Sequence, residues 1–338
     1  MGISSAAIGL LLAVAAQDPT DFADMSLEDL VDTKVVPVNV LGAHTHFQGE
    51  WMLGYSFMFM DMHGNQTGTR EVVTDDVLDT YMVSPTRMHS EMHMLHLMYG
   101  ASNRVTLMAM VPLRRASMDH VTRAGVRFTT TSLGLGDASL TGYGSIVGTA
   151  GSPHRVLLSG TVTLPTGSVD RRDDTPAGAD QRLPYPMQAG AGTFSLGPAV
   201  SYLGEQRRFA WLLEAAGQFF PWENGEGYAP GDRFRGGGSA WWEATPWASP
   251  LVRVSWEDWG DFRGSDPLLN PMMVPTADPT RRAGRRLDVG LGLQVYAAHG
   301  LFREQRVAAE LAFPVYQSLN GPQLRTSWVT RIKWTRVF

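Results

Sequence analysis

The chain has 338 residues, 43% of them hydrophobic and only 18% charged, with 36 glycines and a formal net charge of −5. That charge fraction lies below the roughly 25% usual for soluble domains, and the lack of a long basic run argues against nucleic acid as a partner. Cysteine is absent, which excludes zinc–thiolate sites, disulfide scaffolds and cysteine nucleophiles.

Residues 6–16 form an apolar run of eleven. It is too short to span a bilayer as a helix, which takes about 20 residues. It has the length of a signal-peptide core, with small residues Ala13, Ala15 and Ala16 ahead of a cleavage point before Gln17, although no basic residue precedes it. The reading is a signal peptide over 1–16 and a periplasmic N-terminal segment over 17–47. Ser26 and Asp29 have the spacing of a capping box opening a short helix. The stretch Met25–Leu30 resembles a segment near the N-terminus of TonB-dependent receptors, but the chain has no room for a receptor-sized plug.

From residue 48 to 338 the dominant signal is a two-residue period. The first strand places Trp51, Leu53, Tyr55, Phe57 and Phe59 on one face, with Met52, Met58, Met60 and Met62 on the other. The second sets Leu95, Leu97 and Tyr99 against Met88, Met92, Met94, His96 and Met98. The third sets Val105, Leu107 and Val111 against Met108 and Met110. Nine further candidates repeat the pattern, with Glu214, Arg253, Glu257, Asp288, Arg306, Glu310, Arg331 and Lys333 on the phase opposite the apolar groups.

Apolar groups on one phase and charges on the other predict a lipid-facing wall around a polar lumen. Backbone polar groups in lipid must be paired internally, so strands that cross a membrane must close into a barrel. Connections alternate between short, as at 100–103 and 204–207, and long, as at 63–87, 114–133 and 260–282. The expected fold is all-β: a transmembrane antiparallel up-and-down β-barrel of about twelve strands in the outer membrane of a Gram-negative envelope. Partners expected are outer-membrane lipids and lipopolysaccharide. The terminal Phe338, in phase with Trp334 and Ile332, resembles the C-terminal signal read by the barrel-assembly machinery, with Arg336 departing from it.

Three glycine-rich stretches, Gly134–Leu140, Thr163–Gly167 and Gly190–Gly197, resemble an outer-membrane "transporter" family named for the meta-pathway of phenol degradation. The resemblance covers about residues 130–338 and implies a barrel that moves hydrophobic compounds. The N-terminal third resembles a methionine- and histidine-rich branch, on His44–Met52, Met58–His63 and Met92–Met98.

Twelve of 17 methionines and seven of nine histidines lie between His44 and His120. In simple register Met58 would oppose Met92, Met52 would oppose Met98, His96 would face Met108 and Met94 would face Met110, with opposed Cβ atoms about 5 Å apart. Thioethers select Cu(I) and imidazole suits copper. Candidate metal ligands are therefore His44, His46, Met52, Met58, Met60, Met62, Met92, Met94, His96, Met98, Met108 and Met110, with Glu50 beside an entry site at His44 and His46. Methionine also lines surfaces that accept varied apolar molecules. Three readings stand: a channel component binding or passing copper, a passive channel for small hydrophobic or aromatic compounds, and a structural role. No catalytic constellation is expected: Ser117, Asp119 and His120 are close in sequence but on an expected loop, and no Gly-x-Ser-x-Gly elbow occurs.

Overall fold

The computed structural model describes residues 42–297 and 304–338, so the signal-peptide assignment and most of the N-terminal segment lie outside the described residues. The period-2 stretches form strands β1 (Trp51–Gly68), β2 (Val83–Ser102), β3 (Val105–Thr122), β4 (Arg127–Leu135), β5 (Ser139–Val147) and β6 (His154–Thr163). They continue as β7 (Ser195–Gln206), β8 (Phe209–Gln218), β9 (Arg233–Trp242), β10 (Ala248–Trp259), β11 (Gly284–Ala297) and β12 (Gln305–Val337).

Each strand pairs antiparallel with its neighbour in sequence, except that β5 and β4 pair side by side along β3, and β12 returns to pair with β1. Eleven strands close the ring; β4 and the short strand Arg70–Val72 stand outside it. The 33-residue β12 is folded back on itself. Gln305–Leu319 pairs with β11, and Leu319–Val337 pairs with β1. An ion pair between Arg331 and Glu310 and hydrogen bonds between Gln317 and Thr326 tie the two halves together. Counted as two staves, β12 gives the ring its expected twelve.

The outer wall carries the apolar phase. Leu95, Leu107, Leu140, Leu158, Leu213, Val254, Leu291 and Leu311 are all exposed. A closed ring has no edge strand to aggregate, so an apolar exterior of this extent fits burial in lipid. Among the described residues no helix is long and apolar enough to cross a membrane.

Two expectations are corrected. The stretches 63–87 and 114–133 are mostly not loops. β1 and β2 run on past the apolar belt to a seven-residue helix, α1 (Thr74–Thr80), and β3 turns into β4 over residues 123–126. These strand ends carry polar residues on both faces, so the lipid-driven alternation that marks the belt stops before the hydrogen-bonded ladder does. The inward phase is also not uniformly polar: Leu157, Leu203, Leu212, Trp241 and Leu251 form a buried cluster inside the ring, with Ala43 packed against it.

Candidate functional site: the lumen

The methionine-bearing phases of β1, β2 and β3 all face inward. Met58 pairs with Met92 and Met52 with Met98, as expected. On the other side of β2 the register differs: Met98 faces Met108, His96 faces Met110, Met94 faces Pro112 and Met88 faces Met118. The chain turns at Asn103–Arg104 with a register shift after Gly100, rather than over 100–103, and this moves every cross-strand partner along. Parity is preserved, so the same side chains face the lumen. His89 and His93 fall on the outward phase, where the His93 ring lies 2.6 Å from the Tyr55 hydroxyl.

A charged wall from β10 to β12 adjoins it, with Arg331 on β12 the cross-strand partner of Met58 on β1. Glu310 is fully buried and pairs with Arg253 at 2.8 Å and Arg331 at 2.5 Å. Arg286 pairs with Asp288 at 2.9 Å and lies 3.7 Å from Glu257, which also takes Arg235 at 3.1 Å. Mutual pairing limits the desolvation cost of these charges.

Residues 42–49 turn into the barrel. Gly49 has φ +86°, a conformation that favours glycine. Its N–H donates to Gly100 at 2.8 Å, and a side chain at Gly100 would run into the Phe47 carbonyl. The His46 N–H donates to the Thr106 hydroxyl at 2.9 Å, and the Ala43 N–H to Glu214 at 3.4 Å. His44 and His46 are both buried, their ring centroids 5.1 Å apart, with His46 3.4 Å from Glu50. Burial holds both imidazoles below their ordinary value, with Lys333 and Arg306 adding to the effect and Glu50 opposing it at His46.

Above this segment lies a chamber of about 290 Å³ lined by His44, His96, Met98, Met108, Tyr143, Glu214 and Lys333, among others. His96 Nε2 lies 2.9 Å from the Ser56 hydroxyl, while its Nδ1 is buried with no partner among the described residues.

A second chamber, of about 210 Å³, lies toward the long connections. Met60, Met62, Met88 and Met118 form one side, and Arg233, Glu257, Trp259, Arg282 and Arg286 the other. It is roofed by the segment around the short 3-10 turn Tyr185–Met187. Met187 and Leu183 are buried against Met88, Ala116 and Met118. Arg114 on β3 donates to the carbonyls of Pro186 and Gln188 and ties this roof to the wall.

The three glycine-rich stretches meet at Asp137, in the break between β4 and β5. Its carboxylate accepts the N–H of Gly167 at 2.8 Å and of Ala191 at 2.5 Å. A Cβ at Gly190 would lie 2.6 Å from Asp137 Oδ1 and 2.7 Å from Gly167 Cα. These glycines let two backbones close on one carboxylate, and the clamp fixes the base of the roof-forming connection.

The candidate ligands therefore split. His44, His96, Met98 and Met108 line the first chamber; Met60 and Met62 line the second. Met58, Met92, Met94 and Met110 lie between on the same wall, while Met52 is fully buried and His46 stays in the entering segment. Among the described residues no group of three or more His, Asp or Glu side chains could hold a metal ion. Asp119 and His120 are successive on β3, not on a loop, and so point to opposite faces. Sequence reasoning placed Met88 inward without counting it among the candidate ligands, left Met118 unassigned, and put Arg282 in an expected loop.

A closed antiparallel ring, an apolar outer wall and a partly charged lumen define an outer-membrane β-barrel. The fold is similar to that of an outer-membrane channel from Pseudomonas putida F1, at 13% identity and a TM-score of 0.62, covering 89% of this chain and 99% of that one. The transport unit of the autotransporter AIDA-I from Escherichia coli matches at 10% identity and a TM-score of 0.48, over 92% and 97% of the two chains. The P. putida toluene transporter TodX matches at 8% identity and 0.42, over 86% and 90%. No family model matches the sequence. No curated protein matches it either.

Proposed function

We propose that the chain is a narrow passive channel that admits small, predominantly apolar molecules along its methionine wall. The carrying observation is the concentration of inward thioethers on β1–β3, from Met98 and Met108 in one chamber to Met60, Met62, Met88 and Met118 in the other. Methionine is flexible and polarizable, so such a wall accepts apolar solutes of varied shape. The resemblance of the Asp137 clamp motifs to a family associated with hydrophobic compounds supports the same reading. Residues 42–49 and the 183–189 roof pack against the inner wall and narrow the lumen, which suits one-at-a-time passage rather than an open porin.

The test is methionine-methyl NMR on the refolded chain, labelled at the methionine methyls and titrated with benzyl alcohol. The inward methionines should shift together, while Met82, Met272 and Met273, all exposed, should not. Shifts confined to those three would overturn the proposal, as would equal uptake of the solute by cells with and without the protein.

Binding of a soft metal is the second reading, favoured by the open His96 Nδ1 in a chamber it shares with His44, Met98 and Met108. Lys333 in the same chamber opposes a cation. A Cu(I) competition titration that does not distinguish the native chain from a Met98→Leu, Met108→Leu variant would end this reading.

A further inference from the structure

The second chamber has a chemistry that an apolar solute does not use. Arg233, Arg282 and Arg286 reach its lining together with the single carboxylate of Glu257. Most of this charge is spent. Glu257 serves Arg233, Arg235 and Arg286, and Asp288 takes Arg286 at 2.9 Å.

Arg282 differs. Its backbone is pinned on both sides: its N–H donates to Asp261 Oδ1 at 2.6 Å, and its carbonyl accepts the Trp259 indole N–H at 2.7 Å. Its Nη1 is buried and has no hydrogen-bond partner among the described residues. The nearby carboxylates are committed elsewhere: Asp261 to backbone N–H groups and Asn320, Asp278 to Thr280 and, at 3.9 Å, Arg281. Thr276, on the same lining, is buried with its hydroxyl also unpartnered. Burial lowers Arg282 only to about 10, so it keeps its charge at neutral pH.

A buried donor left unmade costs free energy of its own, and here two such donors share a chamber with four thioethers. We infer that the second chamber is a binding site for a small organic monoanion. One carboxylate oxygen is held by Arg282 Nη1, the other by the Thr276 hydroxyl, and the apolar body lies against Met60, Met62, Met88 and Met118. At about 210 Å³ the chamber is smaller than the roughly 300–1,000 Å³ of drug-sized sites, so the body is one ring or a short acyl chain. This site deepens the channel reading: it makes the second chamber a selectivity station for carboxylates on the way through.

The experiment compares benzoate with benzyl alcohol, ligands of similar size that differ in the carboxylate, by calorimetry on the refolded full chain. Benzoate should bind at least tenfold tighter, and Arg282→Gln should abolish that preference, since one charge-assisted hydrogen bond carries about that much. The affinity for benzyl alcohol, which carries no charge for Arg282 to pair, should fall far less than that for benzoate. Methionine-methyl NMR gives a readout independent of any variant: benzoate should shift Met60, Met62, Met88 and Met118 and leave Met98 and Met108 in place. Equal affinity for the two ligands, or benzoate bound equally well by Arg282→Gln, would overturn the site. Benzyl alcohol shifting the methionines of both chambers while benzoate shifts none would overturn the site and leave the channel. Benzoate binding intact without any uptake of benzyl alcohol would overturn the channel and leave the site.

Discussion

Single residues carry two distinct jobs in this barrel, holding loops in place and lining the path. Asp137 belongs to the first kind. Its two backbone donors, from Gly167 and Ala191, come from segments far apart in sequence. Asp137→Ala leaves both without their acceptor, and bonds to charged groups are worth about 1.5–3 kcal/mol each. A loss of about 3 kcal/mol is expected, read as a fall in the urea unfolding midpoint of the bilayer-embedded protein. Gly190→Ala should reproduce part of that loss, because its methyl would meet Asp137 and Gly167. The methionines belong to the second kind. Their inward phase was legible from alternation alone, since parity survives an error in turn length. Their exact partners were not: the position of the turn at Asn103–Arg104 decided that His96 faces Met110.

At the level of elements, the segment 42–49 is the one most exposed to pH. His44 sits among His46, Lys333 and Arg306, which oppose a proton there, while the Gly42 carbonyl favours one and Glu214 lines the same chamber. Its value in the folded chain lies below that of the free side chain. Docking stability is therefore fully present above about pH 6.5 and is lost as pH falls below that toward the folded value. Conductance of the barrel in a planar bilayer should rise several-fold between pH 7.5 and pH 5. His44→Gln should flatten that profile; a native profile without any pH dependence would count against this account of the docked segment. Nothing in the local pattern of residues 42–47 announces that they turn inward. They lack alternation, and their hydrogen-bond partners Thr106 and Glu214 lie on distant strands.

For the whole molecule, the environment rather than exposure decides what a substitution costs. Leu291 is 68% exposed on the belt and paired across to Leu311, while Leu268 is 58% exposed in the connection between β10 and β11. Leu291→Arg should destabilise the barrel by about 2–4 kcal/mol, the cost of a charge near the bilayer midplane. Leu268→Arg should change the unfolding free energy by less than about 0.5 kcal/mol, as surface changes usually do. Equal effects at the two positions would contradict the placement of the belt.

By itself the sequence determined the closed antiparallel wall, its approximate stave number and which side chains face in. Lipid outside and polar groups inside impose a period that each strand records locally. Tertiary structure alone decided what occupies the interior. The inward Leu157–Leu251 cluster, the docked His44 and the roof over Met88 and Met118 each bring together segments that no local periodicity couples. The same holds for Arg282. Trp259 and Asp261 pin its backbone while Trp259 and Thr276 line the same chamber, and convergence of separate segments leaves no mark on any one of them.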